Sequence, residues 1–116
     1  MSLGAMAIRH PVTGVIMTSP TQLMGELTVA TGREVALIRI GNQRFLRLGN
    51  SDGVAVIDAD RVIAHTHPSG VLKFSVGRDR DVAVFNNPSL KLSKQKSSVL
   101  IAPDDTAVRL PIPRQR

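Results

Sequence analysis

Apolar residues recur along the chain with two distinct periods. Leu23, Met24, Leu27 and Ala30 fall at helical spacing. The stretch is opened by Ser19-Pro20, with Ser as N-cap and Pro at the first helical position, and is closed by Gly32. From there the pattern changes to short β-branched runs. Val35 to Ile40, Arg44 to Leu48, Val54 to Ile57 and Val62 to His65 are separated by Gly41-Asn42 and by Asn50-Ser51-Asp52-Gly53, and they predict a meander of antiparallel strands. Asp79 to Phe85 predicts a short helix ended by Asn86-Asn87-Pro88. Val99 to Ala102 and Ala107 to Leu110 predict two closing strands before a proline-bearing tail. The order helix, strands, helix, strands implies an α/β layered domain.

Length supports one domain. The 116 residues suffice for a single core, and no repeat or low-complexity tract divides them. Residues 1–7 are small and patternless and read as a disordered terminus or cloning scar, which leaves 8–116 as the domain. The absence of cysteine excludes disulfides, thiolate metal sites and cysteine nucleophiles. No apolar run approaches a membrane span, so no membrane role is expected. Fifteen Lys+Arg against nine Asp+Glu give a net charge of +6, and ten of those cations lie from Arg61 onward. A solvated basic face accounts for this excess; attraction to phosphate or an acidic partner is the sharper alternative. With three Phe and no Tyr or Trp, a base-stacking surface is not expected, and nucleic acid is not the favoured partner.

One stretch carries chemistry: His65-Thr66-His67-Pro68-Ser69-Gly70, running on to Ser75 and Asp79. Residues two apart on a strand share a face, so His65 and His67 can present two imidazoles to one Zn²⁺. A carboxylate from the following helix would complete a site of two histidines, one acid and water, the open geometry that catalytic zinc needs. His10 has no partner at ligand spacing and is expected at the surface.

The fuller pattern resembles the JAMM/MPN+ metalloprotease family, in which His-x-His-Pro is followed, seven residues after the second His, by Ser and then by a nearby Asp. Pro68 to Phe74 supply those seven residues, and Pro68-Ser69-Gly70 is similar to bacterial members, including the RadC-like branch. The resemblance implies a single αβα-layered domain with a mixed, largely antiparallel sheet, of the architecture shared with cytidine deaminases. It also implies a zinc cofactor and hydrolysis of a peptide or isopeptide bond. The family places two residues between Ser and Asp, whereas Val76, Gly77 and Arg78 make three here. Gly77 is expected to absorb the extra residue as a bulge and deliver Asp79 to the metal, with Asp81 as the fallback. The metal ligands are thus expected to be His65, His67 and Asp79.

The resemblance also implies an upstream glutamate as proton acceptor. The chain holds only Glu26 and Glu34, and Glu34, at the start of the first strand after the helix, is the match. Ser75 is expected to stabilise the oxyanion. Only 30 residues separate Glu34 from His65, which leaves no room for a large substrate-gripping insertion. A compact bacterial or phage-type enzyme is therefore expected, cytoplasmic or exported as a module, acting on a protein or peptide such as a ubiquitin-like tail or a cell-wall peptide. An inactive JAMM-like scaffold and a RadC-like nucleic-acid-associated domain are the alternatives.

Overall fold

The structure, a computed structural model, describes residues 8–9, 16–17, 20–77 and 80–114. Residues 1–7, His10, the Ser19 cap and Asp79, all named above, lie outside the described residues. A two-residue antiparallel pair, β1 (Ile8–Arg9) and β2 (Ile16–Met17), precedes α1 (Pro20–Thr31). Five strands follow: β3 (Val35–Ile40), β4 (Gln43–Leu48), β5 (Arg61–Thr66), β6 (Ser97–Ile101) and β7 (Ala107–Pro111). Helix α2 (Asp81–Phe85) and a 3₁₀ turn (Lys91–Lys94) lie between β5 and β6. The sheet order is β4-β3-β5-β6-β7, antiparallel throughout except for the parallel β5–β6 pair. The expected α/β class and mixed, largely antiparallel sheet are present. No helix among the described residues is long and apolar enough to cross a membrane.

Local chemistry accounts for the element ends. Pro20 opens α1, and Gly32, at φ +67°, takes the left-handed conformation that stops it. Gly41, at φ +60°, makes the β3–β4 hairpin turn. The expected strand Val54 to Ile57 does not form. Asn50 Oδ1 instead accepts the backbone N–H groups of Asp52 and Gly53, closing a turn that leaves the following residues as an irregular connection.

Alternation along β3 divides the core. Ala36 and Ile38 face a cluster with Val82, Phe85, Leu92 and Leu100, whereas Val35 and Leu37 face Met24, Ala64 and Ile101. Helical segments therefore cover both sheet faces, α1 on one and α2 with the 3₁₀ turn on the other. The β3–β5 register slips between Leu37 and Ile38, so that Arg61 and Val62 oppose Arg39 and Ile38 but Ala64 and His65 oppose Leu37 and Ala36. In a regular strand Arg61 and His65 would share a face. The slip turns His65 to the side of α2 and leaves Arg61 on the other. Side chains close the ladder where it is disturbed: Gln95 accepts the Val62 N–H and donates to Val62 O, and Ser98 Oγ also donates to Val62 O.

Candidate metal centre

His65, the penultimate residue of β5, pairs with Ala36, and His67 follows just beyond the strand, its backbone N–H bonded to Ile101 O. Both side chains are buried, and their Nε2 atoms converge to 3.0 Å. Asp81, the first residue of α2, sends Oδ2 to 3.2 Å from His65 Nε2 and 3.0 Å from His67 Nε2. Neighbouring ligand atoms in a tetrahedron of ~2.0–2.1 Å bonds lie about 3.3–3.4 Å apart, so this triangle is near the spacing one ion requires.

The protons fit the same interpretation. His67 Nδ1 lies 2.8 Å from Val71 O, and a carbonyl can only accept, so Nδ1 carries the hydrogen. In the neutral ring Nε2 is then a lone-pair donor aimed at a second imidazole nitrogen and a carboxylate oxygen, a set that one cation satisfies. Without a metal, a proton must take that place. Burial alone would lower the His67 pKa, but the hydrogen bond and charge of Asp81 outweigh it and raise the value. Burial likewise pushes the Asp81 carboxyl up, yet hydrogen bonds from both histidines, with help from the Ser75 N–H, hold it well below the usual carboxylate range. His65 differs, since its Nδ1 is buried with no hydrogen-bond partner among the described residues.

Ser75 and Asp81 lock each other in place. The Ser75 N–H donates to Asp81 Oδ2 at 3.0 Å, and Ser75 Oγ accepts the Asp81 N–H at 3.0 Å. The reciprocal pair resembles a capping box, with Ser75 in place of Arg80, which occupies the N-cap position without a side-chain cap bond. Gly77, at φ +117°, takes a conformation that favours glycine, and the carboxylate delivered among the described residues is Asp81. The helix expected over Asp79 to Phe85 is observed over Asp81 to Phe85. The helix begins at Asp81, whose position immediately before the apolar Val82-Ala83-Val84-Phe85 was the sequence signal for it.

Glu34 joins from the position just before β3. It is 8% exposed, and its carboxylate can approach both imidazoles with all three ligand-type atoms within 4.8 Å of one another. The group Glu34, His65 and His67 could thus hold a metal ion; the shorter spacing favours Asp81 as the acidic ligand and leaves Glu34 beside it. Desolvation by burial raises the Glu34 pKa, only partly offset by His65. The backbone pins it on both sides, with Glu34 N–H donating to Asn50 O and Glu34 O accepting from Gly49 N–H. Behind the site, the Thr66 hydroxyl accepts the Val35 N–H and pairs with Thr28 Oγ1, which donates to Arg33 O. That buried chain of hydroxyls ties α1 and the start of β3 to the histidine-bearing end of β5.

The cleft beside these groups has a volume of about 70 Å³. Glu34, Ser75, Asp81 and Arg80 form its polar side, and Val54, Val56, Val84 and Phe85 contribute apolar walls. Arg80, anchored through its guanidinium to Asp52 O at 3.0 Å, borders the cleft without any motif having pointed to it. Glu26 lies elsewhere, within α1. Comparison with family models, curated proteins and solved structures finds no match for this chain.

Proposed function

We propose that the chain is a zinc-dependent peptidase or isopeptidase of the JAMM kind. The observation that carries this reading is the 3.0–3.2 Å triangle of His65 Nε2, His67 Nε2 and Asp81 Oδ2, with the buried Glu34 carboxylate beside it. Helices on both faces of the mixed sheet agree with the layered architecture that the resemblance implies. His65, His67 and Asp81 would hold the zinc, and zinc in such a site supplies Lewis acidity, lowering the pKa of water and polarising a carbonyl.

The chain's own groups divide the remaining work. Glu34, its pKa raised by burial, accepts a proton from the attacking water and returns it to the leaving amine as the C–N bond breaks. Ser75 spends its N–H and an oxygen lone pair on Asp81, which leaves the hydroxyl proton for the developing oxyanion. The valine-rich wall suits a small aliphatic group next to the scissile bond. Metal analysis with a peptide-hydrolysis assay tests the reading. Zinc near one equivalent per chain, with activity lost to a chelator and restored by zinc, is the expected result. A protein that refuses zinc after loading and dialysis overturns it.

A further inference from the structure

A second concave site lies at the other end of β5. Its volume is about 520 Å³, and Arg39, Asp60, Arg61, Lys91, Lys94 and Gln95 line it. Arg61 is four residues from His65, roughly 13 Å along a strand, and the register slip puts the two on opposite sheet faces. The groove shares no lining residue with the cleft at the metal centre and is a separate site.

Its cations are arranged against ordinary sheet preference. Arg39 stands directly opposite Arg61 on β5 and directly opposite Arg44 on β4, a row of three arginines on one face across three strands. Like charges directly opposite one another are unfavourable in a sheet. Protection of a sheet edge often explains strand cations, but β3 and β5 are both flanked by paired neighbours. Asp60 is the groove's one carboxylate among its lining residues, and it already accepts the Gly41 N–H and an ion pair from Lys91 at 2.9 Å.

We infer that this groove binds the phosphate backbone of a nucleic acid. Guanidinium forks match phosphate oxygens, and Lys91 and Lys94, three apart on a 3₁₀ turn, project to the same side. Recognition rests on anionic oxygens alone. The Gln95 amide is consumed by Val62 and Ser97, and no aromatic ring lines the groove to stack a base. Charge density favours nucleic acid over an acidic peptide. An extended peptide offers one side chain per ~6.6 Å on a given face, and not every one is acidic, whereas each strand of duplex DNA carries a fixed anion per ~3.4 Å of helix axis.

The test is fluorescence anisotropy with a short mixed-sequence DNA duplex at rising salt, on the full chain. Arg39→Gln/Arg61→Gln should weaken binding by about ten-fold or more at low salt and flatten the log–log salt slope by about 1–2. Lys73→Gln/Arg109→Gln removes the same charge from exposed positions elsewhere and should change affinity less than about three-fold. Arg39→Lys/Arg61→Lys should keep most of the salt slope, and the Gln variant should melt at or above the wild-type temperature because it relieves the opposed charges. The inference is overturned by absence of wild-type binding at low salt, by equal losses in the two charge-matched Gln variants, or by poly-glutamate displacing the duplex at equal charge concentration.

Discussion

At one end of β5, His65 and His67 share Asp81, and the carboxylate is fixed in turn by Ser75. At the other end, Arg61 faces Arg39 across the ladder with one already engaged carboxylate nearby. The first end is buried, opposite in charge type and cross-braced, so each group's position is determined several times over. The second is open to water, which screens its repulsion and lets the sheet tolerate it. Burial makes a polar arrangement expensive unless it is complete, whereas exposure permits an incomplete one. The metal end should therefore respond sharply to single atoms, and the arginine end to net charge.

The largest expected effect is on the metal. His67→Ala should take zinc from about one equivalent per chain to none after dialysis, because two remaining ligands hold zinc poorly. Asp81→Asn should also lose zinc under that treatment, and comparing it with Asp79→Asn by metal analysis identifies the acidic ligand. Retained zinc in Asp81→Asn would break the assignment. Next in size, Glu34→Gln should keep zinc and lower kcat by about 10²-fold or more, since an amide cannot accept the proton.

Thr66→Val tests the bracing behind the histidines. It leaves the buried Val35 N–H without its acceptor and should cost about 1–3 kcal/mol in chemical denaturation. A smaller effect concerns pH. Because burial raises the Glu34 pKa above the ordinary 4.5, the native state holds that proton to higher pH than the unfolded chain. Glu34 thus favours folding at low pH, and this contribution is lost as pH rises through its native pKa. In metal-free protein, Glu34→Gln should be more stable than wild type at neutral pH, with the gap closing toward pH 4.5; melting curves across that range would reveal it.

Smallest is the effect at the arginine end. Arg39→Gln should change folding stability by only a few tenths of a kcal/mol, upward, as an opposed exposed charge is removed. A marked loss would mean that Arg39 braces the sheet, and would erase the contrast between the two ends.

Much of this was legible in the chain itself. The resemblance to the JAMM/MPN+ pattern marked Glu34 and Ser75, whereas Pro20 and Gly32 bracket α1, the β-branched runs mark β3 and β5, and the histidine pair stands out by residue type and spacing. These are properties of near neighbours, set by backbone period and by which residues tolerate a turn or a buried face. Tertiary structure alone decided the rest. It turned Asp81 onto both imidazoles, because the first residue of α2 is held by reciprocal hydrogen bonds with Ser75. The irregular connection after Asn50 took the place of an expected strand, because β5 rather than residues 54–57 pairs with β3. The register slip separated Arg61 from His65 and brought Arg39 opposite Arg61, since register follows from burying both sheet faces at once. Local sequence sets what each segment can be, while the partner a side chain meets across a sheet depends on packing that no local pattern records.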